Sequence, residues 1–388
     1  MCIFLPFMFA IYLFDRRGVP VAALLHVKST HSFLHLLLGG ISGKKGGGQG
    51  ELRMFLLMVF ALVIAVFIAV SPAAQALRMK IGSYISGVQF MMVSDDLPKS
   101  FTGSNHMQMK APATEGSKRV IRVVFIRHGQ SVWNSLFNSF GALWPLRLVK
   151  AFVRETIYLF MDPFNSVIID SPLSSKGNLE AEELAQFIRT SKGKISFDTN
   201  TSLVVCSNLR RAMETAVVGM RPRISSTRER IVVDSSLQEG SRNLDAQTLS
   251  TERGKLVPCK MGKLNFSEQL GTVFDAHLNA GNKTSKTNVY GRMDEFIRHL
   301  FDGSQPDSYT PATSSALGNA ELKEVIVIGH SSYFRCFFCR FLPSSSQHIA
   351  KKKKLRNCGV VVFDLLRNEF TNEIFIDESS ITVLHKGF

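Results

Sequence analysis

Five short apolar runs constrain this chain more than any other feature: VIRVVFI, TSLVVCS, RIVVDSS, EVIVIGH and GVVVFDL. They lack polar alternation, so each reads as a strand buried on both faces. Between them lie GNLEAEELAQFIRT, LRRAMETAVVGM, YGRMDEFIRHLF and FRCFFCRFL, which carry helical periodicity. Strands alternating with helices predict an α/β fold, a three-layer α/β/α sandwich with a mostly parallel central sheet. A chain of 388 residues accommodates one such domain with appended segments, or two domains.

In sheets of this kind the ligand crevice lies beyond the carboxyl ends of the strands. Four runs deliver polar groups there. VVFI is followed by Arg127, His128, Gly129 and, a turn later, Asn134; LVVC by Ser207, Arg210 and Arg211; IVVDSSL by Glu239; and VIVIG by His330. Two imidazoles, two or more guanidiniums and a carboxyl suffice for phosphoryl transfer without a metal. Arginine presents a planar fork of donors matched to phosphate oxygens. A histidine with one nitrogen aimed at phosphorus can attack it and form a covalent intermediate. A carboxyl can protonate the leaving oxygen and later activate water. Gly129 is expected to let the backbone come close to the phosphate and to take a turn that a side chain would obstruct. Each piece alone is weak; their order and repeated placement at strand ends carry the reading.

The stretch FIRHGQSVWN resembles the signature of the histidine phosphatase superfamily, the phosphoglycerate mutase-like family. DSPLSSKGNLEAEELA, SNLRRAMET, LQEGSRN and VIGHSSYFR resemble further segments of that family in the same order, over roughly residues 118–366. The resemblance implies that His128 becomes phosphohistidine, that Glu239 donates the proton, and that Arg127, Asn134, Arg211 and His330 bind the phosphate. Arg210 falls one residue before the matching arginine, which implies a structural or peripheral place for it. Positive neighbours should keep His128 neutral by lowering its pKa. The implied activity is hydrolysis of phosphomonoesters, on a phosphorylated small molecule or phosphoprotein, with no cofactor and no metal. The alternatives are a mutase-like phosphotransferase and an inactive relative that binds phosphorylated ligands. The chain lacks the Arg-His-Tyr-Gly and Gly-Asn-Ser patterns of cofactor-dependent mutases, and its intact His128, Arg211, Glu239 and His330 speak against an inactive relative. Residues 135–169 form an insertion, rich in aromatics and cations, expected to cap the site or to pack passively on the surface.

The N-terminal third has a different texture. Residues 54–77, MFLLMVFALVIAVFIAVSPAAQAL, contain no charge and are long enough to cross a bilayer. They are expected to be a single-pass membrane anchor or, because AAQA has the form of a signal-peptidase site, a cleaved signal peptide of a secreted protein. Residues 1–53 then form an extension, 78–117 a linker and 118–388 the catalytic domain. The formal charge of +15 suits an anionic partner. The basic residues are spread along the chain and no nucleic-acid-binding motif accompanies them, so nucleic acid is not expected. Lys351–Lys354 read as a solvated charge run, and the CxxC pair Cys336 and Cys339 as small residues of an apolar helix.

Overall fold

The computed structural model describes residues 48–97, 117–137, 141, 143–191, 193–257, 270–302, 308–311 and 321–388. Most of the expected extension 1–53 lies outside them. The chain divides into two compact units, residues 1–71 and 72–388.

In the first unit one helix, α1 (Gly48–Val70), is described, and its side chains from Met54 to Val63 are exposed. The segment expected to run unbroken from 54 to 77 is interrupted at Ser71. Pro72 has no N–H to continue a helix, but its fixed φ suits the first turn of a new one, α2 (Pro72–Val93). Among the described residues no helix is long and apolar enough to cross a membrane.

The second unit is built on an eight-stranded sheet. Its strands are β1 (Lys118–Arg127), β2 (Ser202–Ser207), β3 (Ile231–Asp234), β4 (Phe274–Asp275), β5 (Glu324–Gly329), β6 (Val360–Asn368), β7 (Ile374–Ile376) and β8 (Thr382–His385). They lie in the order β4-β3-β2-β5-β1-β6-β7, with β8 also on β6. The five from β4 to β1 are parallel to one another; β6 runs antiparallel to β1, and β7 and β8 antiparallel to β6. All five apolar runs are therefore strands, each in the sheet.

Alternate residues of each strand feed opposite faces. Val123 and Phe125 join a core with α8 (Val289–Phe301) and α9 (Ser331–Phe341); Val124 and Ile126 join one with α5 (Ser175–Thr190) and α6 (Arg210–Gly219). Helices thus cover the sheet on both faces. Phe125 stacks on Phe334 at 4.0 Å and meets Phe337 and Phe363 edge-on, which fixes β1 against α9. Cys336 is part of this core and burial pushes its thiol up, as expected of a small packing residue. Lys352, Lys353 and Lys354 are exposed.

Two short helices, α3 (Val132–Phe137) and α7 (Arg221–Thr227), complete the core's surroundings, and the insertion forms α4 (Trp144–Met161). Helix α2 overlaps the expected linker 78–117 and folds within the second unit. It buries Ala76, Lys80, Ser83, Tyr84, Gly87 and Phe90, one stripe at helical spacing. Gly87 lies so close to Leu244 that an added Cβ would stand 2.8 Å from its Cδ2. Lys80 pairs with Glu155 of α4 at 2.8 Å, and the same carboxylate accepts from Tyr84 and Ser166 and from the backbone of Val167.

Candidate active site

Strand register assembles the site. Arg127 stands opposite Gly329 in the β1–β5 pair, so the residues that follow, His128 and His330, emerge side by side. The His128 N–H donates to the Gly329 carbonyl at 3.0 Å, and the two imidazole centroids are 5.1 Å apart. One strand further, β2 leads into α6, whose second residue is Arg211. From β3 the chain passes through a short 3-10 turn to Glu239.

At Gly129 a side chain would be obstructed, as expected of the turn after β1. A Cβ on it would lie 2.5 Å from the carbonyl oxygen of Gly177, and a Cβ on Gly177 would lie 2.1 Å from that of Gln130. The loop after β1 therefore rests directly on the first turn of α5, where Ser174 caps the helix by accepting from Gly177 N–H. The Gly129 N–H donates to Thr215 of α6, whose hydroxyl bonds the Arg211 carbonyl, so the loop and the arginine are tied through one side chain.

His128, Arg211, Glu239 and His330 are buried and in mutual contact. Arg211 Nε donates to His128 Nε2 at 3.2 Å, and its Nη2 lies 3.9 Å from Glu239. Glu239 approaches His330 Nδ1 at 3.5 Å and accepts from the Ser332 N–H at 3.1 Å, in the first turn of α9, where the helix dipole favours a carboxylate. Neither ring nitrogen of His330 has a hydrogen-bond partner among the described residues. Burial first, then the charges of Arg211 and Arg127, hold His128 well below the ordinary histidine pKa. Burial and Arg211 do the same to His330. The sequence had pointed to charge as the cause; desolvation contributes more.

Arg127, whose charge reaches His128 and His330, and Asn134 make no side-chain hydrogen bond to this cluster among the described residues. They line a groove of about 310 Å³ whose other walls include Lys176, Arg356 and Lys386, with Glu180 as its one acid. Arg127 donates to the Leu355 carbonyl, and its buried Nε has no hydrogen-bond partner among the described residues. Arg210 forms a buried pair with Glu214 at 3.1 Å, the structural place expected of it. Asp170, in the left-handed region at φ 51°, accepts from the Arg210 N–H and so anchors the start of α6. Among the described residues, no hydrogen bond to the side chain of His128, Arg211, Glu239 or His330 comes from residues 135–169, the insertion expected to cap the site.

The sequence reading missed four residues. Asp245 lies 3.5 Å from Arg211 Nη1, while its carbonyl accepts from the same nitrogen at 2.7 Å. Burial pushes its carboxyl up to about 6, although Arg211 opposes the shift. Asp96, from the expected linker, is fully buried between Lys283 at 2.8 Å and Arg292 at 2.6 Å and also accepts from the Ser241 N–H. Lys283 in turn donates to the carbonyls of Glu239 and Ser241. The loop carrying Glu239 is thus clamped from beneath by three buried charges. Only LDA and scattered single letters mark these residues in the sequence, and no local pattern announces them.

Among the described residues, His128, Glu239 and His330 are the one trio able to converge on a metal ion, their donor atoms lying within 4.8 Å of one another. Arg211, hydrogen-bonded to His128, places a permanent positive charge at the same spot, which favours an anion there over a cation.

The profile of the histidine phosphatase superfamily (branch 1) matches residues 168–377, more than half of the chain. The matched span holds Arg211, Glu239 and His330; Arg127, His128 and Asn134 precede it. No curated protein matches. Similar solved structures include the mycobacterial glucosyl-3-phosphoglycerate phosphatase, at 17% identity over 67% of this chain and 98% of that one with a TM-score of 0.32. Another is the phosphoserine phosphatase of Entamoeba histolytica, at 14% identity over 63% and 90% with a TM-score of 0.30. By its sequence profile, the chain belongs to the histidine phosphatase superfamily, branch 1.

Proposed function

We propose that this protein hydrolyses phosphomonoesters through a phosphohistidine formed on His128, without a metal. The observation that carries this reading is the state of the His128 ring. Its Nδ1 lies 2.6 Å from the Gly129 carbonyl, which only accepts, so Nδ1 bears the proton. Its Nε2 faces the Arg211 guanidinium, which only donates, so Nε2 keeps its lone pair. The depressed pKa sustains this neutral form to acid pH.

A phosphate entering between Nε2 and Arg211 takes over the guanidinium's donors, and His330, whose ring nitrogens make no hydrogen bond among the described residues, supplies a further contact. Nε2 attacks phosphorus, the N–P bond forms and the ester P–O bond breaks. Glu239, in its protonated form, gives the leaving oxygen its proton. Glu239 as carboxylate then takes a proton from water, whose oxygen attacks phosphorus and breaks the N–P bond to release orthophosphate. Arg127 and Asn134 hold the approaching anion at the mouth of the basic groove, which suits a phosphorylated small molecule or a phosphorylated side chain.

Incubation with phosphorylated metabolites and phosphopeptides tests the reading. The wild type releases phosphate, a chelator leaves the rate unchanged, and an acid-labile phosphoenzyme is trapped on quenching. His128→Ala loses roughly 10³-fold or more in kcat/KM; turnover that survives this substitution sinks the covalent route.

Asp245 supports a second assignment of the proton donor, because its carboxyl, raised to about 6, is partly protonated near neutral pH and it touches Arg211. Glu239→Gln and Asp245→Asn separate the two. The true donor's variant loses the alkaline limb of the kcat profile and is rescued by substrates with good leaving groups; the other retains both features.

A further inference from the structure

Helix α4 turns its most apolar residues away from the protein. Ala151 and Glu155 form its buried side. On the opposite side Leu146, Val149, Val153, Ile157 and Phe160 are each at least half exposed. Their spacing of three, four, four and three residues lays them along a single ridge. Leu143 and Met161, 68% and 82% exposed, extend it at both ends. A continuous apolar strip of this length is the mark of an interaction surface.

Charge decides what covers it. Lys150 and Arg154 are exposed on the same helix, and its one acid, Glu155, is buried against Lys80. A second copy docked ridge to ridge would set these cations against their counterparts, with no exposed acid on either helix to offset them. An anionic partner meets them favourably. An amphipathic helix with a long aliphatic and aromatic side and flanking cations is the form that lies in the plane of a lipid interface, its cationic heads reaching the phosphates while the stems cover apolar surface.

We propose that α4 seats the catalytic unit on an anionic lipid surface, the Leu146–Phe160 ridge entering the boundary between headgroups and acyl chains and Lys150 and Arg154 meeting lipid phosphates. This is a face contact by one side of a surface helix, and it is independent of the hydrolytic reading.

Sedimentation of the full chain with vesicles tests it. The probes are vesicles of phosphatidylcholine alone and of phosphatidylcholine with one third phosphatidylserine. The wild type is expected to sediment preferentially with the anionic vesicles. Val153→Gln with Ile157→Gln, and separately Lys150→Glu with Arg154→Glu, should each lower the partition coefficient roughly tenfold or more. All four positions are exposed, and an unchanged circular dichroism melt verifies folding. The proposal is overturned if the wild type ignores vesicles, or if binding is indifferent to phosphatidylserine. It is also overturned if both variants sediment like the wild type, which would assign binding to another part of the chain. A ridge-dependent dimer in analytical ultracentrifugation without lipid would overturn it in favour of a second copy.

Discussion

Lys80, on α2, and Lys283, just before α8, are both shut away from water, and each meets a carboxylate at 2.8 Å. Their remaining bonds go to different places. Lys80 bonds the carbonyl of Asn165 and, through Glu155, fastens α4 to the body. Lys283 bonds the carbonyls of Glu239 and Ser241 and, through Asp96, holds the loop of the candidate acid. Isolated buried pairs of this type contribute little net stability, because desolvation offsets attraction. What distinguishes them is the backbone they position. The first organises an outer helix; the second organises the chemistry.

The largest effect should come from Asp96→Ala, which leaves Lys283 and Arg292 as two buried cations without their counter-ion. A loss of about 3–5 kcal/mol in denaturant unfolding is expected, with a fall in kcat exceeding any rise in KM as the loop of Glu239 loosens. Stability near the wild-type value would break the comparison, since Asp96 would then be dispensable to the clamp.

The pH dependence sharpens it. Burial pulls the Lys283 amine down to about 8, against the opposing pull of Asp96. Burial alone would raise the Asp96 carboxyl, but Lys283 and Arg292 outweigh it and the net direction is down. A base whose folded pKa is depressed binds fewer protons folded than unfolded between that pKa and its ordinary one. Its titration therefore makes the wild type gain stability relative to Lys283→Met as pH rises from about 8 to 10.5. Activity should move the other way, because an uncharged amine holds Asp96 less firmly. An additional inflection near pH 8, separate from the limb set by the proton donor, that disappears in Lys283→Arg is the expected signature. An inflection that persists in Lys283→Arg belongs to another group.

The smallest effect is expected from Lys80→Met combined with Glu155→Leu. The double replacement removes the ion pair but also takes the Glu155 acceptor from Tyr84, Ser166 and the Val167 N–H, so a stability loss of about 1–3 kcal/mol is expected, with kcat/KM as it was. A large loss of turnover would make the α2–α4 contact part of the site and erase the distinction between the two lysines.

The strands, their helices and the set His128, Arg211, Glu239 and His330 were legible in the sequence. Buried parallel strands declare themselves by uninterrupted β-branched runs, and fold topology delivers the residues after each run to one edge. Gly129 was legible as necessary, although its crowding partner, Gly177, was not. Helix α2 escaped because its buried stripe includes Lys80, Ser83 and Gly87, so the apolar contrast that reveals an amphipathic helix is weak. The break at Ser71 was concealed because residues 54–70 before it and 72–77 after it are all uncharged, and the apolar stretch read as one span.

The sequence alone determined the sheet and the chemical groups at its carboxyl edge, because both follow from local periodicity and order along the chain. Only the tertiary structure decided which charges are shut away together. Asp96 reaches Lys283 and Arg292 across 187 and 196 residues, and Arg211 reaches His128 across 83. Whether a lysine is a solvated surface charge or the buried support of a catalytic loop depends on the partners that folding brings to it, and no local pattern encodes that distance.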